Sequence, residues 1–105
     1  MYYINFYVPE NFLEKVKIAM FTAGAGKLSN YTNCAWQTKG EGQFYALENA
    51  NPAVGTKNNI TKVLEYKVEM LCGKKFLQAA ITALKNAHPY EEPAYYVISP
   101  EKISF

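Results

Sequence analysis

The sequence predicts an α+β sandwich of one antiparallel sheet with two helices on one face. Segments with strand and helix periodicity follow in the order strand, helix, two or three strands, helix, strand. Each helical segment has about a dozen residues, so two of them cover only one face of a sheet. The 105 residues are 50% hydrophobic, which suits a single domain over residues 1–105 with one core. Together these observations favour the split βαβ, or ferredoxin-like, arrangement.

The first strand and the first helix are predicted from a change of period near residue 10. Residues 2–8 are aromatic or β-branched and alternate between two faces, as is typical of a strand, and Pro9 ends it. From about Asn11 apolar residues recur at helical spacing, and Gly24 is the expected stop. The predicted buried stripe of this helix is Leu13, Val16, Met20 and Ala23.

Two short strands are predicted in the middle of the chain. Residues 31–38 and 43–47 have strand composition, and the glycine-rich residues 39–42 between them, with Gly40 and Gly42, indicate a turn. The polar residues 48–59 that follow predict one surface loop. The fold is therefore expected to contain an extended middle hairpin.

A long strand, a second helix and a closing strand are predicted in the remainder. Residues 62–70 alternate regularly, as in a strand with one wet face. The second helix begins near Gly73, and Pro89 prevents its continuation. Its predicted stripe is Leu77, Ala80, Ile81, Leu84 and Ala87. Residues 94–99 supply the closing strand.

The face of the sheet that the helices leave open is predicted to be aromatic. Tyr3, Tyr7 and aromatic residues of the middle strands point there. Such an apolar surface is larger than a monomer usually exposes. The sequence therefore predicts a closed homo-oligomer in which copies of the chain cover this face.

Charge and cysteine content argue against several functions. Eleven Lys and Arg against nine Asp and Glu give a net charge of +2, too little to drive nucleic-acid binding by counterion release. No apolar run approaches the ~20 residues of a membrane span, and the first residues lack the pattern of a signal peptide, so a cytoplasmic protein is expected. Cys34 and Cys72 have neither redox nor zinc spacing and are expected to be small buried hydrophobes.

The segment with Gly24, Gly26 and Lys27 is similar to a phosphate-binding loop only in part. A Walker loop needs a glycine five places before its Gly-Lys pair and Ser or Thr after it. This chain has Phe21 and Leu28 there. The glycines of a dinucleotide site precede a helix, whereas these follow one. The segment is therefore interpreted as a helix cap and a tight turn.

The segment of residues 88–95, His-Pro-Tyr-Glu-Glu-Pro-Ala-Tyr, concentrates chemically versatile side chains. A histidine near carboxylates can act as a base or a metal ligand, and prolines stiffen the backbone that holds it. The candidate ligand or metal residues are His88, Tyr90, Glu91 and Glu92, between Pro89 and Pro93. The structural alternative is that His88 caps the second helix while a glutamate pairs with a lysine. One histidine per chain leaves open a metal shared between subunits.

Residues along nearly the whole chain carry a resemblance to a known family. They are Gly24, Gly26, Asn30, Tyr31, Cys34, Gly40, Gly42, Phe44, Asn51, Pro52, Gly55, the triplet Glu65, Lys67 and Glu69, and the 88–95 segment. In this order they resemble the insert domain of the YqfO-type, NGG-interacting-factor-three family. The pattern His-Pro-Tyr-Glu-x-Pro also resembles the CutA signature. Ser29 stands where the first family usually has glycine.

The resemblance implies a PII-like, ferredoxin-like domain that commonly forms trimers. Full-length members of the first family are similar in carrying a dinuclear metal site in two flanking halves, which this sequence lacks, so their hydrolase or cyclohydrolase labels are not carried over. The predicted function is a non-enzymatic PII/CutA-like homotrimer that binds a small ligand, metal ion or protein at inter-subunit clefts, near residues 48–59 and 88–95. No cofactor is predicted. The alternatives are a metal-dependent, hydrolase-type enzyme that uses His88 with Glu91 or Glu92, and a CutA-like divalent-cation tolerance protein.

Overall fold

The computed structural model describes residues 1–101. Its elements, in chain order, are β1 (Tyr2–Pro9), α1 (Leu13–Thr22), β2 (Trp36–Tyr45), β3 (Ile60–Cys72), α2 (Leu77–Ala87) and β4 (Tyr95–Ile98). A short 3-10 turn leads into each helix, Glu10–Phe12 before α1 and Lys74–Phe76 before α2. No helix within residues 1–101 is long and apolar enough to cross a membrane.

The four strands form one antiparallel sheet in the order β2-β3-β1-β4. β1 pairs with β3 along all eight of its residues. On its other edge β1 pairs with β4, where Tyr3 lies opposite Ile98. β2 pairs with β3 over ten residues and forms the predicted extended middle hairpin. This sheet order and the two helices are those of the predicted split βαβ arrangement.

The core lies between the sheet and the helices because β1 and β3 alternate as predicted. Ile4, Phe6 and Val8 of β1 are completely buried on the helix side. The helices contribute the buried residues Leu13, Val16, Met20, Ala80 and Leu84. Burying an aliphatic or aromatic side chain of this kind contributes roughly 1.5–3 kcal/mol, so this layer is the main source of hydrophobic stabilisation.

The predicted turn at residues 39–42 is wrong, because β2 runs through it without a break. Gly40 pairs with Glu65 and Gly42 with Val63 inside the ladder. The strand begins at Trp36, and the connection of the hairpin is the loop of residues 46–59. A glycine pair is compatible with a turn, but here it serves an extended strand. A Cβ at Gly42 would collide with the Glu65 carboxyl group, so the glycine provides room for that side chain.

The glycine segment after α1 forms the predicted cap and tight turn. Gly24 and Gly26 have positive φ angles of 114° and 78°, which favour glycine. The Gly26 N–H donates to the Leu71 carbonyl at 2.8 Å and so fixes the turn against the end of β3. Ser29 adopts φ 53°, the left-handed conformation that a glycine would take readily.

The open face of the sheet is aromatic, as predicted. The register puts Tyr3 and Tyr7 of β1 on the same face as Trp36 of β2. Trp36 is 67% exposed, and Ile98 of β4, on this face as well, is 44% exposed. Between the tyrosines Asn5 is buried, and its side-chain N–H group has no hydrogen-bond partner within residues 1–101. This surface is the one for which the sequence predicts a covering subunit.

Candidate ligand-binding site

A cavity of about 430 Å³ lies on the open side of the sheet, at the loop end of the β2–β3 hairpin. It is lined by the ends of β2 and β3, by residues 46–54 of the connecting loop and by residues 90–94. Its volume falls in the range of roughly 300–1,000 Å³ that is usual for small-molecule sites. The lining is mainly apolar and aromatic, as illustrated by Phe44, Tyr45, Ala46, Val54, Val63 and Tyr90.

Two segments singled out in the sequence, residues 48–59 and 88–95, meet at this cavity and form part of its wall. The backbone N–H of Asn51, in the connecting loop, donates to Glu91 Oε1 at 3.3 Å. The base of the loop is closed by the Asn58 N–H, which donates to the Ala46 carbonyl at 2.7 Å. Gly55 takes a positive φ of 79° within the loop. Among the predicted residues, those that line the cavity are Gly42, Pro52, Tyr90, Glu91 and Glu92.

Two aromatic rings form a corner of the cavity. Phe44 of β2 and Tyr90 lie with ring centroids 6.4 Å apart and their planes at 59°. Tyr7 adds further aromatic surface to the lining. Tyr90 is part of the cavity lining, and its hydroxyl is inaccessible to water and has no hydrogen-bond partner within residues 1–101.

Glu65 is the half-buried acidic side chain of the cavity. It stands on the open face of β3, and its carboxyl group lies over Gly42. Burial raises the pKa of Glu65 above its ordinary value, because a partly desolvated carboxylate is harder to ionise. Burial, followed by the nearby charge of Glu65, also raises the pKa of Tyr90. Sequence reasoning did not assign Glu65 to a site, since it looks like one polar residue of a wet strand face.

His88 is buried behind the cavity and is fixed by two backbone hydrogen bonds. Its Nε2 donates to the Tyr7 carbonyl at 2.6 Å, and its Nδ1 accepts from the Tyr90 N–H at 3.1 Å. These partners require a neutral ring with the proton on Nε2. Burial lowers the pKa of His88, with the bond to Tyr7 acting in the opposite direction. Its backbone N–H also closes the end of α2 on the Leu84 carbonyl. The ring therefore ties the end of α2 to β1.

The motif residues between α1 and β2 lie away from the cavity. Gly24 and Gly26 pack against Phe76 and Phe21, at the end of β3 that carries Leu71. Leu71 lies six positions along β3 from Glu65, a distance of about 20 Å. Three further predicted residues follow these glycines in the chain: Asn30, Tyr31 and Cys34. Asn30 and Tyr31 are exposed in the turn before β2. The residues that carry the resemblance thus belong to two separate places in the fold, a structural turn and a cavity wall.

The carboxylates of Glu65, Glu91 and Glu92 line the cavity. Within residues 1–101 no group of three or more His, Cys, Asp or Glu side chains is arranged to hold a metal ion. Cys72 is buried as predicted, and its burial raises the pKa of the thiol. Cys34 is only half-buried, and both cysteines are free. A metal at His88, Glu91 and Glu92 remains a prediction.

A β2-β3-β1-β4 sheet with two helices on one face and a long β2–β3 hairpin defines the PII/CutA-like class of ferredoxin-like folds. Comparison with solved structures confirms this class. CutA1 from Pyrococcus horikoshii superposes with a TM-score of 0.71 at 15% identity, over 99% of this chain and 87% of that one. GlnK from B. subtilis superposes with a TM-score of 0.52 at 16% identity, over 91% of this chain and 81% of that one.

Sequence comparison then identifies the particular relatives. The chain is 43% identical over 99 residues to a "GTP cyclohydrolase 1 type 2 homolog" of Listeria monocytogenes, covering 93% of the chain and 26% of that protein. It is 39% identical over 93 residues to the protein of the same name from Mycobacterium tuberculosis, covering 89% of the chain and 24% of that protein. No protein-family model matches the chain.

A solved structure agrees with these sequence matches. A Bacillus cereus protein related to NIF3 superposes with a TM-score of 0.83 at 30% identity, over 96% of this chain and 26% of that one. The predicted resemblance is therefore confirmed as homology to part of these proteins. The chain spans about a quarter of the length of the curated relatives it matches.

Proposed function

We propose that this chain is a non-enzymatic PII/CutA-like module that binds a small organic ligand in the cavity at the end of the β2–β3 hairpin. The observation that carries the proposal is the cavity itself, about 430 Å³ in volume, mainly apolar, and bounded by the loop of residues 46–59 and the segment of residues 88–95. Such a pocket with a few polar groups is the usual form of a ligand site.

The hydrogen bonds of His88 favour binding over catalysis. A general base or metal ligand needs a free ring nitrogen, whereas both nitrogens of His88 have backbone partners. His88 is also the one histidine of the 105 residues. The enzyme that uses His88 with Glu91 or Glu92 and the CutA-like cation-tolerance protein stay predictions, and each requires His88 to give up one of these bonds.

The proposal predicts different effects for two glycines of the same strand. A fragment screen by NMR is expected to give ligands that shift the signals of the cavity residues. Gly42→Ala is expected to weaken their binding about tenfold, equivalent to about 1.4 kcal/mol, because the new methyl group displaces the Glu65 carboxyl. Gly40→Ala is the matched control, since a Cβ there meets nothing within 4 Å. Ligand shifts away from the cavity, or equal binding by both variants, would contradict the proposal.

We further propose that copies of the chain cover the aromatic open face, with the trimer as the expected assembly. The support is the exposure of Trp36 and Ile98 on a face whose centre, at Asn5, is already buried. Light scattering at micromolar concentration is expected to give three times the chain mass of 11.9 kDa. Trp36→Lys is expected to lower that mass, whereas Leu28→Lys, at an apolar residue 50% exposed in the turn before β2, is not. A wild-type monomer would refute the assembly.

A further inference from the structure

We propose that the ligand of this cavity is a small organic cation. Its ammonium group lies against the Glu65 carboxylate, and its apolar part lies among the aromatic rings. This inference rests on the proposed function, because it takes the cavity to be a binding site. It adds the chemical class of the ligand, which is an amine with an aromatic or aliphatic body.

The charge of the lining is the first argument. Among the described residues the cavity is lined by three carboxylates, Glu65, Glu91 and Glu92, and by no Lys, Arg or His. Glu91 already accepts a hydrogen bond from the Asn51 backbone. Lys39 and Lys67 line only the neighbouring cavity, which shares Glu65. Within the lining of this cavity a phosphate or carboxylate ligand would meet like charges, whereas a cation would meet complementary ones. Nucleotides are therefore poor candidates for this cavity.

The aromatic corner is the second argument. Phe44 and Tyr90 stand at 59° to each other with ring centroids 6.4 Å apart, so a group in the corner touches both rings. Tyr7, on the open face of β1, extends the aromatic lining. Ring faces attract cations, and several rings around one position are the usual recognition site for ammonium groups. The rings can therefore contact both the apolar part of a ligand and its positive charge.

The environment of Glu65 is the third argument. Its carboxyl group is partly desolvated, and burial is the cause that raises its pKa, with no neighbouring donor or cation within residues 1–101 acting against it. A desolvated carboxylate without a counter-charge is costly. An ammonium group in the cavity would provide the missing counter-charge. Gly42, opposite this carboxyl group, provides the room for it to stay over the strand.

A matched series of three indoles tests the charge preference. Tryptamine is a cation at neutral pH, tryptophol is its uncharged counterpart, and indole-3-acetate is the anion of similar size. Titration calorimetry and NMR shifts of the cavity residues, on the full chain, are expected to give tryptamine about tenfold tighter binding than indole-3-acetate, with tryptophol between them.

Two isosteric variants locate the source of that preference. Glu65→Gln is expected to reduce the ratio of tryptamine to indole-3-acetate affinity several-fold while tryptophol binding stays within about twofold of the wild type. Glu14→Gln, which removes the same charge from an exposed site on α1, is expected to leave the ratio unchanged. An unchanged ratio in Glu65→Gln would overturn the role of Glu65.

The outcomes separate this inference from the function on which it rests. Cavity binding of tryptophol or indole-3-acetate at least as tight as that of tryptamine would overturn the cation and leave the ligand site intact. Failure of all three indoles to shift cavity signals would overturn the cation inference. If the fragment screen also found no cavity ligand, the proposed function would fail with it.

Discussion

Replacement of His88 by alanine is expected to lower the free energy of unfolding by about 3 kcal/mol. The substitution removes two hydrogen bonds of the buried His88 ring and leaves the Tyr7 carbonyl and the Tyr90 N–H without these partners in a partly buried position. Each buried polar group left unsatisfied costs about 1–3 kcal/mol. Urea denaturation followed by circular dichroism measures the loss. A change below about 0.5 kcal/mol, the usual range for surface substitutions, would contradict the structural role.

His88→Gln serves as the graded control, because its side-chain amide can still donate to the Tyr7 carbonyl. It is expected to retain part of the stability that alanine loses. The pH dependence gives a second readout. His88 in the unfolded chain takes up a proton near its ordinary pKa of 6.5, whereas the folded chain does so only at lower pH. The free energy of unfolding should therefore fall as the pH decreases below about 6.5, and this component should be absent from both variants.

Gly24→Ala is expected to cost about 3 kcal/mol, for a different reason. The residue has φ 114°, which an alanine adopts only under strain of about 1–2 kcal/mol. Its methyl group would also lie 2.5 Å from Cγ and Cδ1 of the Phe76 ring and 2.9 Å from its Cβ. Forcing an additional carbon into a packed region typically costs about 1–3 kcal/mol more. Thermal and urea unfolding give the loss.

Gly73→Ala is the matched control, because its methyl group would meet the same Phe76 ring at an ordinary distance of 3.9 Å. Its φ of −67° suits alanine, so a change within about 0.5 kcal/mol is expected. Should Gly24→Ala fail to fold, the double variant with Phe76→Leu is expected to recover part of the loss. Equal stability of the two alanine variants would refute the steric explanation.

Most of the elements predicted correctly have one buried face, which gives their sequence a clear period. β1, β3 and both helices carry a clear period, since one face of each packs on the core, and residues such as Phe6 and Leu84 reveal it. β2 has almost no buried residue, so its pattern holds little information about a core. Gly40 and Gly42 then suggested a turn, because a glycine that provides space looks the same in the sequence as one that provides a positive φ.

The candidate site was predicted only in part, because it is formed by residues that lie far apart in the sequence. Residues 88–95 were singled out by their composition, and residues 48–59 as a loop of the kind that the resemblance to PII-like proteins implies for effector binding. Their meeting depends on the Asn51 to Glu91 contact between residues forty positions apart. The main partner of His88 is the carbonyl of Tyr7, eighty-one positions away, and a backbone atom leaves no signature in the sequence. Glu65 becomes part of a site only because two loops fold over it.

The pairing of Tyr3 with Ile98 has a consequence for the chain that carries this fold. A polypeptide that enters the sheet through β1 leaves it through β4 at nearly the same point, since paired residues of antiparallel strands lie about 5 Å apart. A host protein can therefore accommodate the whole fold between two adjacent surface positions, at the entropic cost of closing only a short loop.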